Sequence, residues 1–396
     1  MKKLLGFAIL LVLLFVALKA FSPAADFVKG FLPLLRPASE MADTAGALPF
    51  TAPEGFMLSV YAKGLPGARV IERDGYGGFF VSQTREGKIS KLDPQDDGTV
   101  TVREYLAGLN NPHGLAFDDD AYQLYIAEEH TITRRYTDGP KAGAAPEKIA
   151  DLPEGGGHST RTISFGPDDR LYVSIGSSCN VCNEEHPHRA TILSMNKDGS
   201  DVKIFAKGLR NTVFFDWSYV DAKMWGTDMG RDLLGDDVPP DEVNILKEGG
   251  NYGWPICYGK NIHDTQFDKN TYIRNPCMEP FETPSHIDLQ AHSAPLGLAF
   301  IPEEGWPEAW WYDLLVAYHG SWNRSEPTGY KIVRIPLDAK GNPEGAVQDF
   351  ITGFQTPEGE IIGRPVDLLI EPGGVLYITD DRAGVVYRLH RTESVL

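Results

Sequence analysis

Histidine, arginine and asparagine recur in this chain beside strand-like runs, at places where a turn needs none of them. His158 and Arg161 stand in GGGHSTRTISFGPDDRLYVSIG, Arg210 and Asn211 in GLRNTVFFDW, Arg364 and Asp367 in GRPVDLLIEPGGVLYITDDRAG, and His113 in PHGLAFDDD. A second set follows strands: Asp228 and Arg231, His319 with Trp322, Asn323 and Arg324, and Asp380 with Arg382. Imidazole has an unperturbed pKa near neutrality and can accept a proton. Guanidinium binds carboxylates and carbonyls through paired hydrogen bonds. Brought together, such groups suit an anionic ligand with several carboxylates or carbonyls, beside a proton acceptor.

The cysteines open a different chemistry. CNVC, from Cys179 to Cys182, is followed by Asn183, where attachment of a c-type haem needs histidine. Two readings stay open: Cys179, Cys182, His186 and His188 as zinc ligands, or a short disulfide. With Cys257 and Cys277 the chain has four cysteines, and nearest-neighbour pairing is the simplest way to form two disulfides. Asp236, Asp237, Asp241 and Glu242 form an acidic loop, either a solvated face or a calcium holder, although Pro239 and Pro240 break any regular ligand spacing. No GxGxxG, GxxxxGK[ST] or GxSxG occurs, so nucleotide, nicotinamide and serine-hydrolase chemistry lack sequence support.

The elements that must position these groups are mostly strand and turn. Aromatic-rich runs recur between Gly, Pro and Asp clusters: GGFFVSQ at Gly77, YQLYIAEE at Tyr122, DRLYVSIG at Asp169, AKMWGTDMG at Ala222, YDLLVAYHG at Tyr312 and GVLYITDD at Gly374. Four follow an apolar lead-in (PHGLAFDDD, RTISFGPDD, PLGLAFIPE, PVDLLIEPG), so each pair reads as a hairpin. From Phe80 through Tyr125, Tyr172, Trp225 and Leu315 to Tyr377 the steps are 45, 47, 53, 90 and 62 residues. Periods of roughly 40 to 50 with several strands each predict an all-β, six-bladed β-propeller, here over residues 54–391. An irregular all-β fold or a pair of β-sandwiches is the alternative. The 90-residue step calls for an insertion at about 247–294, clipped by Cys257 and Cys277. Propeller lead-in strands converge on a central channel, which would bring the first set of residues together.

Net charge is -18, from 37 Lys plus Arg against 55 Asp plus Glu, and no basic run interrupts it. A nucleic-acid partner is therefore excluded as an expectation. Lys2 and Lys3 precede an apolar run from Leu4 to Leu18. Residues 1–25 read as a signal peptide or N-terminal membrane anchor, the anchor covering 4–21, and residues 26–53 as a Pro-rich tether. The expected location is periplasmic or otherwise extracytoplasmic.

GGGHSTRTISFGPDDRLYVSIG, GLRNTVFFDW, DEVNILKEGGNYGWP and GRPVDLLIEPGGVLYITDDRAG, in that order, resemble the soluble sugar dehydrogenases dependent on pyrroloquinoline quinone (PQQ), the glucose and sorbosone dehydrogenase group. The resemblance runs from about Phe56 to Leu389 and implies PQQ and Ca²⁺ as cofactors. It makes His158 the base that removes the sugar's hydroxyl proton, and Arg210 with Asn211 the pair that contacts and polarises the quinone oxygens. Gly230 and Arg231 would hold Ca²⁺ through backbone carbonyls. Lys331 and Arg364 would pair with cofactor carboxylates, His113 would fall near a position touching cofactor and sugar, and Arg382 joins the expected cofactor contacts.

Two departures stand out. Ser177 occupies the place of an Asp that hydrogen-bonds the histidine in glucose-oxidising members, and Val366 the place of a second arginine. Ser177, Cys179 and Cys182 are more similar to the sorbosone-type branch. The implied activity is oxidation of a sugar-like alcohol or hydrated aldehyde, with electrons leaving to a separate quinone or cytochrome. The rivals are a calcium-dependent propeller lactonase, with Asn211 and Asp367 as ligands, and a non-catalytic binding propeller.

Overall fold

Six sheets account for almost all the regular structure: five of four strands and one of five. The computed structural model describes residues 49–280 and 282–392. The expected signal or anchor segment and residues 26–48 of the expected tether lie outside these. Blades 1, 2 and 3 begin with strands Ala68–Arg73, Gly114–Asp118 and Ile163–Phe165. Blades 4, 5 and 6 begin with Thr212–Trp217, Pro295–Phe300 and Pro365–Glu371. Each first strand pairs antiparallel with the second strand of its blade, so the chain forms a six-bladed all-β propeller.

The second strands carry the six aromatic or leucine landmarks, and their burial explains their composition. Phe79–Gln83, Leu171–Ile175 and Leu314–Tyr318 are buried at every position. A strand covered on both faces by neighbouring blades gains from apolar side chains at successive residues rather than alternate ones. Outer strands such as Val100–Ala107 face solvent and mix exposed with half-buried residues. Blade 6 is completed by the beginning of the described chain: Phe56–Lys63 pairs antiparallel with Val385–Arg391, closing the ring. Closure leaves no free end at which the circle could open cheaply.

The 90-residue step falls within blade 4. Its fourth strand, Ile287–Leu289, pairs with Asp241–Leu246 only after an excursion. Within the excursion Gly250–Asn251 adds a parallel fifth strand to blade 3, Cys257–Tyr258 and Ile262–His263 form a small hairpin, and Cys257 is bonded to Cys277. Cys179 is bonded to Cys182, so its sulfur is spent in a disulfide rather than offered to zinc as a thiolate. Both disulfides follow the nearest-neighbour pairing.

Candidate active site

First and second strands of one blade run antiparallel, so the start of one and the end of the other share an edge of the propeller. That explains why the two sets of sequence candidates meet. His158, Arg210, Asn211 and Arg364 lie before first strands; Gly230, His319, Trp322 and Asn323 lie after second strands. All eight line one cleft of about 490 Å³.

A repeated device fixes the backbone here. Asp228, ending a second strand, accepts hydrogen bonds from the amides of Arg210 (3.0 Å) and Asn211 (2.6 Å). Asp380 does the same in blade 6, accepting from the amides of Arg364, Arg382 and Ala383 at 2.8–2.9 Å. Burial pushes Asp228 up to about 7 and Asp380 up to about 6, against the pull of those amides. Both are backbone anchors. Asp241 acts similarly on the amides of Gly230 and Ala294, each at 2.9 Å.

His158 is half-buried. Its Nδ1 lies 2.8 Å from the Ser177 carbonyl and 3.0 Å from the Ser177 hydroxyl, which itself donates to the Cys179 carbonyl at 2.7 Å. A carbonyl can only accept, so Nδ1 carries the proton and Nε2 keeps a lone pair. Burial, then Arg210, drive the ring down to about 4 against the Ser177 carbonyl, so at neutral pH it is an uncharged acceptor. Arg161 and Arg189 both donate to the His158 carbonyl, and Arg189 also reaches the carbonyl of Gly155. Gly176 sits behind the ring: a Cβ there would lie 2.5 Å from Asn211 Oδ1 and 2.8 Å from His158 Cβ, so only glycine fits.

Arg210 is held on every side. It donates to the Asn180 carbonyl and side-chain oxygen, each at 2.9 Å, to the Met229 carbonyl at 3.3 Å, and to Asp232 at 2.8 Å. The turn closed by Cys179 and Cys182 thus presents Asn180 as a clamp on Arg210. Asn180 and Asp232 were not singled out from sequence. Asn180 sits inside CNVC, and its place between two cysteines was the available signal. Across the cleft, Arg364 donates to the carbonyls of His319 (3.0 Å) and Gly320 (2.9 Å) and forms no ion pair among the described residues. Gly320, at φ +101°, packs so tightly on Tyr330 that a Cβ would meet its ring at 2.1 Å.

Several sequence expectations are corrected. His113 is fully buried, 3.4 Å from the Thr162 hydroxyl and packed on Phe214, and does not line the cleft. Lys331 starts the third strand of blade 5, two strand spacings from the axis, and binds Asp349 at 2.5 Å. Arg382 donates to the Ile361 carbonyl and is not a lining residue. The Arg231 side chain pairs with Asp264 at 2.6 Å in an adjoining recess, which does not bear on the expected role of its backbone carbonyl. Asp367 binds the amides of Ile71 and Leu368, which removes it from the ligand set expected for a lactonase. The acidic loop is tied down by Arg324, which binds Asp237 and the Asp236 carbonyl.

The donor set fits a planar, acidic quinone. Arg364 offers a guanidinium in no ion pair among the described residues, Asn211 Nδ2 meets only the weak acceptor Met229 Sδ at 3.6 Å, and Trp322 supplies a flat wall. The carbonyls of Gly230 and Arg231 receive no hydrogen bond from the described residues, the condition a hard cation needs.

A family model described as TrAA12-like matches residues 50–392. An uncharacterized protein of Borreliella burgdorferi is 37% identical over 235 residues, which is 59% of this chain and 60% of that protein, so the chain spans less than two thirds of its length. A pyrroloquinoline quinone-dependent sugar dehydrogenase of Hypocrea jecorina is 23% identical over 409 residues, 86% of this chain and 89% of that one. The iodide structure of a Trichoderma reesei carbohydrate-active enzyme of family AA12 superposes with a TM-score of 0.75 at 22% identity, covering 89% of this chain and all of that one. That likeness establishes the propeller.

Proposed function

Since the chain belongs to the TrAA12-like family, we propose that it is a PQQ-dependent dehydrogenase that oxidises a sugar-like alcohol or hydrated aldehyde. The observation that carries this reading is the meeting, in one cleft, of an uncharged histidine with Arg210, Asn211 and a carboxylate-free Arg364. Bound there, PQQ would accept the hydride. His158 Nε2 would take the hydroxyl proton, with Nδ1 anchored on Ser177. Arg210 and Asn211 would face the carbonyl oxygens, where fixed donors stabilise developing negative charge. Arg364 would bind a carboxylate, and the carbonyls of Gly230 and Arg231 would hold Ca²⁺.

Ser177 and the Cys179–Cys182 turn support a sorbosone-type substrate over glucose, because the usual carboxylate behind His158 is replaced by a hydroxyl and a carbonyl. Two formed disulfides support an exported protein, with residues 1–25 as signal or anchor and a separate quinone or cytochrome as electron acceptor. The test is to titrate the protein with PQQ and Ca²⁺, following quinone absorbance and dye reduction over a panel of sugars. Saturable binding with sugar-dependent reduction is expected; absence of binding at micromolar PQQ overturns the reading. His158→Ala should lower turnover about 100-fold with quinone still bound.

A further inference from the structure

The carboxylate missing behind His158 is present behind a different histidine of the same cleft. His319 follows the second strand of blade 5, and its Nε2 lies 3.0 Å from Asp381 Oδ1. The other oxygen, Asp381 Oδ2, receives Arg69 Nη1 at 3.0 Å. Three blades therefore converge: His319 from blade 5, Asp381 from blade 6 and Arg69 from blade 1. Their side chains are only 9–13% exposed. The main chain holds the ring as well, the His319 amide donating to the Ala294 carbonyl and its carbonyl accepting from Arg364.

We propose that His319, backed by Asp381, is a second general base of this cleft, taking the substrate's hydroxyl proton at Nδ1 in turnovers where His158 does not. Burial opposes ionisation of Asp381, but His319, then Arg69 and Arg364, outweigh it and hold the carboxyl below its ordinary range. An ionised Asp381 can only accept, so Nε2 carries the ring proton. Nδ1, which no described residue hydrogen-bonds, is the acceptor. Once Nδ1 is protonated, the carboxylate 3.0 Å away stabilises the imidazolium. Burial drives both rings down to about 4, with Arg364 and Arg69 opposing the charged form of His319 as Arg210, Arg189 and Arg161 oppose that of His158. The geometry differs in that the partner of His319 is a carboxylate and that of His158 a neutral serine. In the step itself the carbinol C–H bond breaks with its electron pair passing as hydride to the quinone oxidant. The O–H bond breaks with its pair forming the new C=O bond, and the proton goes to His319. Asp381 is a positioning residue.

The inference rests on the dehydrogenase reading, and two measurements separate their failures. On the full chain without quinone, ¹⁵N-histidine spectra should show His319 as the Nε2–H tautomer, becoming a mixture in Asp381→Asn; a wild-type ring protonated on Nδ1 overturns the proposal. On the quinone-loaded protein carrying His158→Ala, adding Asp381→Asn or His319→Gln should lower the residual kcat about 100-fold while quinone affinity stays within about 3-fold. Asp381→Glu should recover part of the loss, and it carries the test if Asp381→Asn fails to fold. Quinone binding with the residual kcat unchanged by Asp381→Asn or His319→Gln overturns this inference alone. No quinone binding by the wild type overturns the dehydrogenase reading and the proton-transfer role with it.

Discussion

The two walls of the cleft are built alike and charged crosswise. In the wall from blades 3 and 4, Asp228 grips the amides of Arg210 and Asn211; in the wall from blades 5 and 6, Asp380 grips those of Arg364 and Arg382. Each wall then adds one histidine, one arginine and one acidic partner. Asp232 neutralises the arginine of the first wall and leaves His158 without a carboxylate. Asp381 supports the histidine of the second and leaves Arg364 bonded to backbone carbonyls and stacked on Tyr330, in no ion pair among the described residues. The same scaffold thus separates two tasks: the second wall keeps a cation outside any ion pair for an anion and a counter-ion for a proton, while the first keeps an arginine already neutralised.

The likeness of the walls is exposed to the largest test. Asp228→Ala and Asp380→Ala should each cost about 2–4 kcal/mol, since the first strands two buried amides and the second three part-buried ones. Urea denaturation of both would break the parallel if only one were destabilised. The difference between the walls is sharpened by Arg364→Gln, expected to weaken PQQ binding about 30-fold by fluorescence titration, or about 2 kcal/mol. Asp232→Asn should act in the opposite direction, strengthening binding of the anionic quinone about 5-fold by freeing Arg210; weakening would show that the pair is needed to hold Arg210 in place.

The smallest effect is on pH dependence. Folded Asp228 keeps its proton to about pH 7, whereas the unfolded chain loses it near 3.8, so its contribution is complete below that lower value and disappears as pH rises through 7. His158 and His319 work from the other side. Unfolded, they take up protons near 6.5; folded, only near 4, so stability falls as pH drops through that window. The two windows overlap and run in opposite directions, so Asp228 offsets part of the histidine effect between about pH 4 and 7. Asp228→Asn removes that offset, and its melting temperature should rise more steeply with pH across this range than that of the wild type.

His158, Arg210, Asn211, Gly230 and Arg364 were legible as a group because each sits beside a strand edge whose hairpin is local in sequence. Lys331 and His113 were misjudged for one reason. Distance from the axis and depth along it depend on which strand of a blade a residue joins and how far down it lies, and neighbouring residues say little about either. His319 stood out in the sequence but had no role, since its partner is 62 residues away in the next blade.

By itself the sequence determined the propeller and its blade number. The first three strands of every blade are consecutive and antiparallel, so the period and the apolar-rich second strands record it directly. The even, closely spaced cysteines likewise pointed to the pairing that formed. Only the tertiary structure decided which acid serves which base or cation. Asp381 meets Arg69 across 312 residues, through a contact between blades that closure of the ring creates, while Arg210 and Asp232, 22 residues apart, meet at the folded ends of one blade's hairpin. Charge pairing is set by those distances in space, and no local pattern encodes them.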